Sequence, residues 1–208
     1  MGDSRFKVAS LPLHKNRGSA ALALALFLCA GSLQATLVPR MSLEEVVDAS
    51  ESIVQGTVVR SWSAWDEGRK YIWTHYEIQV ADRLKGNLPG TMVVSEPGGA
   101  VGETELQIAG TPQYEVGEEI VLFAERTPLG YLRTCGWGQG KFQVTRAPLN
   151  GKVTVRTAAK GIQLVERPAA GPTKPQGTPL GEMNGLELEQ FKTRVRELVG
   201  QRGSLPAR

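Results

Sequence analysis

Disulfide chemistry has almost nothing to work with in this chain, whose 208 residues include two cysteines, Cys29 and Cys135, and two histidines, His14 and His75. Cys29 lies in an apolar N-terminal run expected to be removed, which leaves Cys135 without an internal partner. A disulfide framework is therefore excluded, and the core must hold the fold unaided. Zinc sites gather three or four Cys, His or carboxylate ligands. One His with one Cys would leave nearly everything to carboxylates, so no metal and no cofactor is expected. The glycine-rich stretch Gly98-Gly99-Ala100-Val101-Gly102 lacks the Lys-Ser/Thr of a phosphate loop and precedes no helical pattern, so it reads as a turn. Glu115, Glu118 and Glu119 lack the alternating oxygen positions of a calcium loop and read as a solvated acidic turn.

What is present begins with an export signal. Arg5, Lys7, Lys15 and Arg17 form a positive segment, residues 19–30 are uninterruptedly small or apolar, and Ala35 supplies a cleavage position. The apolar run falls short of the roughly 20 residues that span a bilayer. Leu28 before Cys29 is too large for a lipoprotein signal. Residues 1–35 are thus expected to be a signal peptide that meets the membrane only transiently, with an uncleaved anchor as the alternative. Without them, 20 basic and 20 acidic residues remain. The long-range positive field that attracts nucleic acid is absent, and no nucleic-acid partner is expected. The location is extracytoplasmic, secreted or periplasmic.

Residues 36–50 form an N-terminal segment with a short helix, announced by the capping box Ser42-Leu43-Glu44-Glu45 and the apolar stripe Leu43, Val46 and Val47. From Ile53 the hydrophobic period changes to two. Strands are expected at 53–59, 70–84, 91–95, 104–108, 120–124, 132–135 and 141–145, separated by Gly and Pro turns. Residues 61–69 read as the connection between the first two strands. Residues 51–145 form the β domain and 146–168 an extra hairpin around Pro148-Leu149-Asn150-Gly151. The Pro, Gly, Lys and Thr of 169–185 read as a flexible linker. A C-terminal amphipathic helix over 186–200 presents Leu188, Phe191, Val195 and Leu198 at three- and four-residue spacing. The fold class is all-β, a small barrel with a helix at each end.

Four stretches occur in order: "SIVQGTVV", a long strand ending in "VADRLKG", "TMVVSEPGG" and "YEVGEEIVLFAE". On these, residues 51–144 resemble the netrin-like, OB-type barrels of secreted proteins, the family that includes tissue inhibitors of metalloproteinases. They also resemble a group of exported bacterial proteins with the same order of features. The resemblance implies an OB-like barrel and a protein partner, with a secreted protease as one candidate. It does not carry over the inhibitors' zinc-chelating N-terminal cysteine, because the expected mature chain starts at Thr36.

Aromatic residues make up only 6% of the chain, yet they crowd one region. Alternation places Tyr71, Trp73 and His75 on one strand face, with Trp62 and Trp65 on the adjoining connection. Rigid aromatic rings bind at low entropic cost, so these five residues with Pro97, Gly98 and Gly99 are the candidate binding site. Two accounts of that face stay open: recognition, or burial beneath the C-terminal helix. The leading expectation is an exported, non-catalytic module that binds a protein. The alternatives are a carbohydrate or envelope-polymer binder using the same aromatics, and a cysteine-dependent hydrolase. The last would need Cys135, or a serine, activated by His75, and no motif supports either pairing.

Overall fold

The computed structural model describes residues 36–87, 89–159, 162–165 and 177–203. The expected signal peptide and residues 169–176 of the expected linker lie outside them. The chain runs β1 (Thr36–Pro39), α1 (Leu43–Ala49), β2 (Ser52–Trp65), β3 (Ile72–Lys85), β4 (Thr91–Pro97), β5 (Gly99–Val101) and β6 (Thr104–Leu106). It continues with β7 (Glu119–Arg126), β8 (Leu132–Thr134), β9 (Lys141–Arg146), β10 (Val153–Thr157), β11 (Ile162–Val165), a 3-10 turn (Leu180–Met183) and α2 (Leu188–Gly203). Strands dominate, as the alternating pattern requires. Among the described residues no helix is long and apolar enough to cross a membrane.

Seven strands form the main sheet in the order β10-β9-β7-β2-β3-β4, with β8 paired to β7. Strands β8 and β9 lie one after the other along the same flank of β7, separated by the turn through Gly136, Trp137 and Gly138. The sheet curls until β4 lies beside β8. No ladder joins those two strands, so the barrel is not closed by backbone pairing among the described residues. The carboxylate of Glu96 occupies the seam instead, accepting hydrogen bonds from the Thr134 backbone N–H at 2.7 Å and its hydroxyl at 2.5 Å.

Strands β2 and β3 are each 14 residues long and pair antiparallel, with register shifts near Ile53, Gln55 and Val58. Such bulges add the twist that bends long strands around a core. Gly56 sits at one of them, where a Cβ would lie 2.4 Å from the Gln79 carbonyl oxygen, so only glycine permits the approach. The β2 ladder continues to Trp65, past the expected strand end. The pairs Trp62↔His75 and Trp65↔Ile72 hold it there. The connection is correspondingly shorter, and the Asp66 carboxylate closes it by accepting from the N–H groups of Lys70 and Tyr71. Similarly, residues 99–101 of the stretch read as a glycine-rich turn form β5, which pairs with β6 within the expected strand 104–108.

Two apolar clusters flank the sheet. One is enclosed by the curl and contains Val54, Val58, Ile78, Val94, Ile120 and Leu122, with Tyr76 and Tyr114 at its edge. The other lies between the sheet and the two helices, where Phe123, Phe142 and Phe191 meet at ring separations of 4.7 to 6.2 Å. Helix α1 delivers Leu43, Val46 and Val47 to this second cluster, and its capping box is formed between Ser42 and Glu45. Helix α2 adds Leu188, Phe191 and Val195 and is held to β3 by Lys192 and Arg196, which both pair with Asp82. Within the expected linker, Leu180 and Met183 of the 3-10 turn are buried in the same cluster. Strand β10 pairs with β9 as the expected hairpin, while β11 pairs in parallel with β1.

Candidate functional site

Register decides which candidate residues share a face. Side chains directly opposite one another in an antiparallel pair project to the same side. The pairs Trp62↔His75, His75↔Ser95, Ala64↔Trp73 and Trp73↔Pro97 therefore define one face of β2–β3–β4. On it the Trp62 and His75 rings stack at 5.2 Å, and the Arg60 guanidinium lies 4.6 Å from the Trp62 ring centre. Tyr131, from the turn before β8, reaches across to Trp73 at 4.9 Å and to His75 at 6.0 Å. His75 Nδ1 is 2.8 Å from the Ser95 hydroxyl, and burial lowers the pKa of its imidazole. The result is a continuous strip of Arg60, Trp62, His75, Tyr131 and Trp73.

Three of the aromatic candidates are thus brought together and two are not. Trp62 and His75 are half-buried, whereas Trp73 is only 8% exposed and its indole N–H has no hydrogen-bond partner. Trp65 pairs with Ile72, one residue out of phase with Trp62, and so projects from the opposite face. Tyr71 is 53% exposed at the end of the connection, outside the ring contacts of the strip. Helix α2 does not cover the strip, because Phe191 packs on Phe123 and Phe142 elsewhere.

The opposite face of the same strands carries Ser63, Thr74 and Glu96 in register. The Ser63 and Thr74 hydroxyls are 3.0 Å apart, and Thr74 donates to the Gly98 carbonyl at 2.7 Å. Here Pro97, Gly98 and Gly99 line a cavity of about 480 Å³, roofed by the β5–β6 hairpin and walled by residues 107–113. Glu96 is 2% exposed and also lines it. Burial raises its carboxyl to about 7, against the opposing pull of the Thr134 hydrogen bonds. Tyr114 hydrogen-bonds the Thr134 hydroxyl, extending the chain Tyr114–Thr134–Glu96. Burial, then the charge of Glu96, holds the Tyr114 phenol well above its ordinary pKa.

Cys135 lies fully buried beside Phe123, and burial pushes its thiol up to about 12. Burial thus favours the protonated, less reactive form of this thiol. His75 meets Ser95 rather than Cys135, and Ser95 is itself 3% exposed, which keeps a substrate from its hydroxyl. No group of three or more His, Cys, Asp or Glu residues able to hold a metal ion occurs among the described residues.

Glu96, Thr134 and Tyr131 were not singled out from the sequence. A signal for Glu96 was present: Met92, Val94 and Glu96 alternate, so the carboxylate continues an inward-facing apolar row. Tyr131 gave none, since its role depends on the β7–β8 turn folding towards β3. Compared with family models, curated proteins and solved structures, the chain matches none.

Proposed function

We propose that this protein is an exported, non-catalytic module with an OB-type half-open barrel, which recognises a protein partner through the outward face of β2–β3–β4. The observation that carries the reading is the strip of Arg60, Trp62, His75, Trp73 and Tyr131, assembled from two separate parts of the chain and left uncovered by either helix. Tryptophan, tyrosine and arginine are the residues that dominate protein-binding hot spots. OB-type barrels bind through one strand face and the loops flanking it, a role this reading gives to β2–β3–β4 and to the β2–β3 and β7–β8 connections. A secreted protease is one partner class consistent with the netrin-like resemblance.

The test is affinity capture from the exported fraction of the source organism with residues 36–208 as bait, beside a Trp62→Ala bait of unchanged circular dichroism. The expected result is one dominant protein retained by the wild type and lost with the variant. Equal retention by both baits would remove the face from the proposal. Binding to a glycan array, lost in the same variant, would instead identify a carbohydrate or envelope polymer as the ligand.

A further inference from the structure

The cavity behind the aromatic strip has a chemistry of its own. Its apolar lining is Leu106, Ile108, Ala109, Pro112 and Tyr76, and its charged lining residues are Glu96 and Glu105, with no Lys, Arg or His among them. Glu96 Oε1 is occupied by both hydrogen bonds from Thr134, whereas Oε2 has no partner among the described residues. The Thr111 hydroxyl, also in the wall, is buried and unpartnered. Glu96 therefore enters the cavity wall with one carboxylate oxygen able to accept hydrogen bonds from a bound group. An anion would be repelled by both carboxylates, and a neutral alcohol would leave the Glu96 charge uncompensated.

We infer that this cavity is a binding site for a cationic group on an aliphatic stem, an alkylammonium or alkylguanidinium, whose charge lies against Glu96 and whose stem lies between Leu106, Ile108 and Pro112. The volume falls within the range of small-ligand pockets and exceeds what one ammonium needs, leaving room for the stem. The same chemistry has two sources, a free aliphatic amine and a Lys or Arg side chain of a polypeptide. The inference goes beyond the aromatic face and does not depend on it.

The groups facing Glu96 fix how binding should respond to pH. From β3 comes Tyr76, from the segment before β7 comes Tyr114, and from β8 come Thr134 and Arg133; Arg133 is itself paired with Glu125 of β7 at 2.8 Å. Glu105 faces the cavity from β6. The two tyrosines, both raised, stay protonated through neutrality, while the carboxyl of Glu96, raised to about 7, titrates there.

The experiment is calorimetric titration of the protein with n-pentylammonium, 1-pentanol and pentanoate, and with the peptide acetyl-Gly-Lys-Gly-amide. Saturable binding of the ammonium or the peptide at pH 8 is expected, at least about tenfold tighter than that of the alcohol or the acid, and it should weaken about tenfold between pH 8 and pH 6 as Glu96 takes up a proton. Binding by the peptide alone would assign the site to a polypeptide side chain, and binding by the free amine alone to a small molecule. Glu96→Gln should abolish the preference, and Leu149→Ala, at a fully exposed position outside the cavity lining, should leave it unchanged. If Glu96→Gln does not fold, the ligand series and pH profile of the wild-type protein decide. Absence of binding by both cationic probes, or equal binding of ammonium and alcohol, would overturn the inference.

Discussion

The two faces of β2–β3–β4 share a backbone but solve opposite problems. Outward, the alternating positions carry rings: Trp62, His75 and Trp73, joined by Tyr131. Inward, the next positions along carry Ser63, Thr74 and Glu96, polar groups at the end of an otherwise apolar interior. Rings that keep part of their surface in water retain binding energy for a partner. A carboxyl kept out of water stores an electrostatic cost that only a proton or a cation relieves. A step of one residue along the strand therefore separates a surface suited to wide contact from a pocket suited to a single charged group.

The largest expected effect breaks the outward face from within. Trp73 belongs to that face by register but to the core by burial, at 8% exposed and against Tyr131. Trp73→Ala should cost about 3 to 5 kcal/mol, the range for large-to-small core changes, measured by urea denaturation. A cost under about 1 kcal/mol would mean that the indole is not part of the packed structure.

Next comes the inward face. The carboxyl of Glu96 is raised from 4.5 to about 7 in the folded protein by burial. Between those values the folded state holds a proton that the unfolded state has released, so the contribution of Glu96 to stability falls as pH rises from about 4.5 to about 7. The difference corresponds to about 3 kcal/mol. Glu96→Gln, which keeps the shape and stays neutral, should flatten this dependence and be the more stable protein at pH 8, while at pH 4 the two should be nearly equal. Denaturation midpoints across that pH range test it, and an unchanged slope in the variant would locate the titration elsewhere.

A smaller effect should come from the roof of the cavity. Gly99 holds φ at 127°, and a Cβ there would meet the Thr74 hydroxyl at 2.3 Å and the Ser63 hydroxyl at 2.5 Å. Gly99→Ala should destabilise by about 1 to 3 kcal/mol through overpacking and backbone strain. Gly102, at the tip of the same hairpin, has open space around it, so Gly102→Ala carries only the backbone cost of its positive φ. Comparing the two variants by thermal unfolding separates packing against the inward face from turn strain.

Local rules in the sequence reached the secondary structure further than the site. The capping box at Ser42, the alternation in β3, the hairpin into β10 and the stripe of α2 could all be read because each depends on neighbours a few residues apart. Trp65 shows where that ends. Its place on the face opposite Trp62 is fixed by the β2 ladder running on to Ile72, and composition alone suggested a loop there. Likewise, the destination of Phe191 is set by long-range packing on Phe123 and Phe142. Glu96 faces β8 because the whole sheet curls, 38 residues separating it from Thr134. Such partners are chosen by the fold and leave no mark in a local pattern.

The smallest effect on stability should accompany the largest effect on recognition. Trp62 is half-buried, stacked on His75 and shielded on one side by Arg60. An aromatic pair and an exposed cation–π contact each contribute on the order of 1 kcal/mol or less. Trp62→Ala should therefore lower stability by about 1 kcal/mol, well below the cost at Trp73. If the outward face binds a partner, the same truncation removes a central ring and should weaken that complex by about 2 kcal/mol or more, roughly thirtyfold. Calorimetric affinity and urea midpoints on the same preparation make the ratio measurable. A stability loss near that of Trp73→Ala would identify Trp62 as core, and the division of the strip into a packed half and a recognising half would not stand.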